Sequence, residues 1–264
     1  MKKYLVIGNP IEHSLSPKIH NYWIKKNNIE AFYEKRKVIG ADIKKIILDI
    51  KQEKIHGMNV TLPFKKKIIP YLDQITKIAE KTRSVNTIYK KNNKIIGDNT
   101  DVGGFERSLE NLDHEIQNKR VLILGAGGVV SSLIYGLKNL GVGEIVLSNR
   151  TKKNALKLQE IYSDLKIINW GTVSNFDIVI NATSLGLKSE DKLKIDFKDM
   201  GKNKLFYDVI YNPSITNFLK EGEKLGSKIE NGKMMFVYQA QIAFKIWHNI
   251  LPVVDEKIMS LLEI

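Results

Sequence analysis

Apolar and polar positions along the chain fall into short blocks that switch between strand-like and helix-like spacing. Near the start, "KYLVIG" is an apolar run of strand length, and "SPKIHNYWIKKN" is helical with Pro17 in its first turn. "AFYEKRKV" alternates as a strand. "ADIKKIILDIKQ" sets Ile43, Ile46, Ile47 and Ile50 on one helical face, and "IHGMNVT" is again a strand. Short helices are expected around 64–71 and 74–82, then a hairpin over "VNTIYKKNNKIIGDNT" with Asn92 and Asn93 near its turn. After Asp101 the rhythm is more regular. "RVLILG" reads as a central parallel strand, "VVSSLIYGLKNLG" as a helix ending at Gly141, and "EIVLSNR", "LKIINW", "FDIVINAT" and "LFYDVIY" as further strands. "KKNALKLQEIYS" and "SITNFLKEGEKLG" are the intervening helices, and the last stretch is helical with a break near Pro252. The βαβ repetition predicts an α/β protein with a doubly wound parallel sheet.

Composition narrows the class without deciding it. A chain of 264 residues, 43% hydrophobic and 27% charged, is that of a folded globular protein with room for two cores. No apolar run reaches the length of a membrane span, and the apolar part of "MKKYLVIGNP" is too short for a signal peptide. The absence of cysteine excludes disulfides and thiol catalysis, and a cytoplasmic location is expected. The net charge of +13 raises nucleic-acid binding, but the lysines are scattered and form no dense basic block. The charge is read as a lysine-rich surface that helps to attract anionic ligands. The five histidines, at 13, 20, 56, 114 and 248, have no metal-ligand spacing, and no metal is expected.

Two constellations carry chemistry. In "LILGAGGVV", Gly125, Gly127 and Gly128 stand between an apolar strand and a helix, where glycine lets the backbone approach a pyrophosphate. Val130 holds the last position of the G-x-G-x-x-G pattern. The next strand ends in "LSNRT" with no carboxylate for a ribose hydroxyl. Arg150, with Lys152 and Lys153 beside it, suits a 2′-phosphate instead, which points to NADP over NAD; the alternative is a solvated strand cap. The second constellation is "NVTLPFKKK" with "GDNTDVGGF". Lys65 and Asp101 are either an acid–base pair or an ion pair bracing two domains, and the residues alone leave that open.

A set of motifs resolves the choice by resemblance. "VIGNPIEHSLSP", "NVTLPFK", "SVNT", "DNTDVGGF", "GAGG", "NRT", "NATSLG", "YNPSITNFL" and "QAQIAFKIW" follow the order and spacing found in shikimate dehydrogenases, over nearly the whole chain. The chain resembles that family. The resemblance implies a Rossmann-like NADP-binding domain over 102–235 and an α/β substrate-binding domain with a mainly parallel sheet, built from 1–101 and 236–264. It implies NADPH-dependent, reversible reduction of 3-dehydroshikimate to shikimate in a cleft that domain closure shields from water. Lys65 and Asp101 match the catalytic pair, so Lys65 is expected to face the site while Lys66 and Lys67 are solvated. Ser14 and Ser16 match the grip on the substrate carboxylate, and Ser16 can also serve as a helix cap before Pro17. Thr61, Asn86 and Gln239 match contacts to the ring hydroxyls, Tyr211 lies beside them, and Asn59 orients the pocket.

On the cofactor side, Gly125, Ala126, Gly127, Gly128 and Val129 match the pyrophosphate loop, and Asn149, Arg150 and Thr151 the 2′-phosphate clamp. Thr183, Val209, Gly232 and Met235 match positions along the adenosine or nicotinamide part; packing is the competing reading of Val209 and Met235. The chain departs from the pattern in three places. Asn154 stands where many members have a second arginine, Met234 where a glycine is common, and "RSVNT" where "GAVNT" is common. The implied ligands are a small-molecule substrate and NADP(H), with no nucleic acid and no membrane, in a monomer or homodimer. Three rivals remain: a quinate/shikimate dehydrogenase with relaxed cofactor use, an NADP-binding protein without turnover, and a basic nucleic-acid-binding protein.

Overall fold

The computed structural model describes residues 1–263. The chain divides into two compact units, Met1–Gly104 with the chain from Val237 onward, and Phe105–Phe236. The divisions fall inside two helices, three residues after Asp101 and after Phe236, because each helix continues unbroken from one unit into the other.

The first unit opens with β1 (Lys2–Gly8), α1 (Ser16–Lys26), β2 (Ala31–Lys37), α2 (Ile43–Lys51) and β3 (Gly57–Val60). It continues through β4 (Gln74–Ile75), α3 (Lys77–Thr82), β5 (Thr87–Lys91) and β6 (Lys94–Asp98). Its six-stranded sheet has the order β2-β1-β3-β5-β6-β4. β1 pairs in parallel with both β2 and β3, whereas β5 pairs antiparallel with β3 and, through the hairpin at Asn92 and Asn93, both at positive φ, with β6. The four isoleucines of α2 are all buried and pack with Leu5, Ile7, Met58 and Ile88. Of the short helices expected between 64 and 82, only α3 forms as an α-helix. Pro70 lies in a single 3₁₀ turn, Ile69–Tyr71, and Gln74–Ile75 pairs with β6 instead.

α4 (Thr100–Glu110) leads into β7 (Arg120–Leu124), α5 (Val130–Asn139), β8 (Glu144–Ser148), α6 (Lys152–Gln159) and β9 (Lys166–Ile168). β10 (Ile178–Asn181), β11 (Leu205–Asp208), α7 (Asn217–Lys224) and β12 (Lys228–Glu230) complete the second unit. α8 (Lys233–His248) returns to the first unit, followed by α9 (Glu256–Leu261). The second sheet is parallel throughout, in the order β12-β11-β10-β7-β8-β9. The strand order reverses between β7 and β10, which is the doubly wound arrangement that the block pattern predicts. β7 and β10 are buried on both faces, as their unbroken apolar runs require.

Each sheet therefore has a switch point. In the first it lies between β1 and β3, and in the second between β7 and β10. Ligands of open α/β sheets settle outside the carboxyl ends of the strands at such points.

Candidate active site

The carboxyl end of β1 leads to Ser14 and Ser16, and that of β3 to Thr61 and Lys65. Because β5 runs antiparallel to β3, and β6 antiparallel to β5, the start of β5 and the end of β6 reach the same edge. Asn86 and Asp101 join the group there by topology. Gly8 makes room for the turn: a Cβ on it would come within 2.5 Å of the Thr61 methyl.

Lys65 donates to Asp101 Oδ2 at 2.5 Å, and both side chains are largely covered, 13% and 8% exposed. Lys66 and Lys67 are exposed. The amide of Asn86 donates to the other oxygen of Asp101 at 2.8 Å and approaches Gln239 Oε1 at 3.4 Å. Asn86 Oδ1 accepts from the Thr100 N–H at 2.7 Å, and the Asp101 N–H is held by Asn99 Oδ1. Asp101 lies in the first turn of α4, where the helix dipole favours a carboxylate. It accepts hydrogen bonds at both oxygens, from Lys65 on one side and Asn86 on the other. Ser14 donates to Ser16 Oγ at 3.3 Å, at the start of α1. Ser16 caps nothing with its side chain, because the helix cap is Leu15. Asn59 is buried, with both amide hydrogens committed to Asn86 O and Thr87 Oγ1. Its amide is a brace for the neighbouring strand, with no hydrogen left for a ligand.

In the second unit, β7 ends at Gly125, whose φ of +108° belongs to glycine. A Cβ at 125 would stand 2.8 Å from the Ala182 carbonyl oxygen, and one at 232 would stand 2.2 Å from that of Val209. The first turn of α5 has no side-chain cap and no acidic residue, so the positive end of its helix dipole favours an anion, while the Val130 and Ser132 N–H groups bond back to the Gly127 and Val129 carbonyls. Gly125 to Val129 form the turn into that helix. After β8, Asn149 donates to the Thr151 carbonyl, and Arg150, Lys152, Lys153 and Asn154 are exposed. A backbone cradle beside a helix N-terminus without a side-chain cap, with an exposed guanidinium, fits a phosphorylated dinucleotide.

The Thr183 hydroxyl is held by Asn181, which also donates to Asp208. Asp208 is buried and accepts from Thr216 and the Ile210 N–H, and burial pushes its carboxyl up to about 6. This knot fixes the backbone on both sides of Val209. Met235 is buried in the core of the unit. Tyr211 belongs to this unit, apart from the other substrate-side residues in the chain's division. Its ring stacks on Phe236 at 4.7 Å, and burial raises its phenol.

Comparisons with known proteins bear on what these groups do. Residues 6–88 match the family model described as shikimate dehydrogenase substrate binding domain, and 107–211 the one described as shikimate / quinate 5-dehydrogenase. The NADP(+) shikimate dehydrogenase of Pelagibacter ubique is 56% identical over 100% of this chain and 99% of its own. The chain belongs to the shikimate dehydrogenase family. Its fold is that of solved members. The Aquifex aeolicus shikimate dehydrogenase superposes with a TM-score of 0.89 at 35% identity, covering 99% of this chain and 97% of that one. The Thermus thermophilus enzyme, solved with NADP(H) and shikimate, gives 0.90 at 28% identity over 99% and 98%.

Within this shikimate dehydrogenase fold, one buried polar residue near the Asn59 brace was not among the sequence candidates. The Tyr33 hydroxyl donates to Asn59 Oδ1 at 2.7 Å. The signal for it is slight: Tyr33 follows Ala31 on the inward face of β2.

Proposed function

We propose that this protein catalyses the reversible NADPH-dependent reduction of 3-dehydroshikimate to shikimate. The observation that carries the reading is the buried Lys65–Asp101–Asn86 cluster at the switch point of the first sheet. Ser14 and Ser16 hold the substrate carboxylate, and Thr61, Asn86 and Gln239 the ring hydroxyls. Reduction adds a hydride to the carbonyl carbon and a proton to its oxygen. NADPH supplies the hydride, held by the Gly125–Val129 turn, the α5 N-terminus and the clamp at Asn149, Arg150 and Thr151. Thr183, Val209 and Gly232 border it.

Lys65 gives its proton to the carbonyl oxygen as charge develops there. Asp101 keeps the ammonium in place and charged until that moment, and Asn86 fixes the carboxylate. In the reverse direction Lys65 takes the proton from the shikimate hydroxyl. A cytoplasmic location belongs to the same proposal.

The test is a spectrophotometric assay of reduced nicotinamide with shikimate or quinate, each with NADP or NAD. Turnover is expected to be fastest with shikimate and NADP. Asn154, in place of a second cation, favours some NAD use. Turnover faster with quinate than with shikimate would shift the substrate assignment, and no turnover from folded protein would overturn the reading.

A further inference from the structure

Tyr33 has the geometry of a positioning residue for the substrate half, although it matches none of the motifs. Asn59 Nδ2 spends both hydrogens, on Asn86 O at 3.1 Å and Thr87 Oγ1 at 3.0 Å. The amide orientation is thereby fixed, and Oδ1 must face Tyr33. The phenol has to be the donor at that 2.7 Å contact. With its proton spent there, the phenolic oxygen offers only lone pairs on its other side.

The ring itself is immobilised. Tyr33 is buried and stacks on His20 at 4.3 Å and 8°, and His20 in turn lies near-parallel to Phe244. Neither nitrogen of His20 has a partner among the described residues, and burial pushes the group down to about 3, so it acts as an uncharged plate. Burial likewise raises the Tyr33 phenol well above its ordinary value and keeps the proton on it.

We propose that Tyr33 positions the acid–base cluster of the substrate site through Asn59. Its hydroxyl locks the Asn59 brace, Asn59 holds the Asn86 carbonyl, and the Asn86 amide in turn donates to Asp101. The inference rests on the shikimate reading above and deepens it: the Asn86–Asp101 end of the site is preorganised through a residue that need touch neither ligand nor cofactor. A site whose donors are already in place loses less entropy when the substrate binds.

Tyr33→Phe is the test, because it keeps the ring, the stack and the volume and removes only the hydroxyl. The shikimate KM is expected to rise roughly tenfold, with kcat within about threefold and the NADP KM unchanged. A shikimate KM that stays the same or falls while the Tm drops would make Tyr33 structural only and overturn the proposal. In an Asn59→Ala background, the KM effect of Tyr33→Phe should shrink, since the acceptor that the hydroxyl fixes is gone. Fully additive effects would overturn the link through Asn59. Wild-type protein without turnover would count against the enzyme reading itself, whereas an active wild type with an indifferent Tyr33→Phe counts against this inference alone.

Discussion

In the first unit the polar groups at the sheet edge are buried and bonded to one another: Lys65 to Asp101, Asp101 to Asn86, Asn86 to the Asn59 brace and Asn59 to Tyr33. In the second unit the equivalent edge has a backbone turn at Gly125–Val129 with its cation, Arg150, out in solvent, and its buried polar knot of Asn181, Asp208 and Thr216 fixes backbone. Both edges lie at a switch point of an open sheet, yet the chemistry is delivered by different means. A buried network fixes side chains and pays a high penalty when one member is lost. A backbone cradle is indifferent to most side chains and intolerant of a Cβ where glycine stands. An exposed arginine acts through charge and is screened by salt. The two units should therefore fail differently when altered.

The largest effect is expected at the buried pair. Lys65→Ala should lower kcat by about 10²–10⁴-fold while the shikimate KM moves far less, because the lost group acts on the developing alkoxide. A kcat that survives would remove Lys65 from the chemistry. Next comes the cradle. Gly125→Val forces a β-branched residue into φ +108° and against the Ala182 carbonyl. It should cost about 1–3 kcal/mol of stability or more, read from the Tm, and raise the NADP KM at least roughly tenfold. An unaffected NADP KM would mean that the turn carries no pyrophosphate.

Arg150→Ala should raise the NADP KM about tenfold and leave the NAD KM nearly unchanged, with the gap narrowing at high salt. Equal effects on both cofactors would end the 2′-phosphate assignment. The comparison is sharpened in the other direction by Asn154→Arg, which should increase the preference for NADP a few-fold, about 0.5–1 kcal/mol. If the kcat/KM ratio for the two cofactors does not move, position 154 plays no part in the selectivity.

The smallest effect is expected in the pH dependence of the Tm, where the units pull in opposite directions. His20 and His248 are pushed down by burial to about 3 and about 4. The unfolded chain takes up those protons from about 6.5 downward and the folded chain does not, so this contribution is lost as the pH falls toward 4. Asp208, pushed up to about 6, does the reverse: its contribution is lost as the pH rises from the ordinary aspartate value through 6. Between pH 7 and 5, at about 2 units of acidification, the histidines should dominate and the Tm should fall. In Asp208→Asn the fall should be steeper, since the opposing group is gone. A shallower fall would show that Asp208 does not hold its proton as its burial implies.

What could be read from the residues alone divides along the same line. The strand, glycine turn and helix around Gly125 are local, and "RVLILG" followed by "AGGVV" displays all of them in sequence order. Lys65 could be singled out from Lys66 and Lys67 only by resemblance, since the three are alike in their local pattern. The Tyr33–Asn59 bond joins positions 26 apart across two strands, and nothing in either neighbourhood announces it. α4 was hidden by Gly103 and Gly104, poor helix formers that tertiary packing accommodates: a Cβ at Gly103 would stand 2.8 Å from Ile242. The chain divides after Gly104, in the middle of the same helix.

That placement has a hereditary side. The second unit interrupts the first, so every residue proposed for proton transfer precedes Phe105, and Gln239 follows Phe236. A recombination event with its crossovers in α4 and α8 would exchange the dinucleotide half as a cassette and leave the Lys65–Asp101 pair untouched. Cofactor preference and proton chemistry can thus be inherited from different parents.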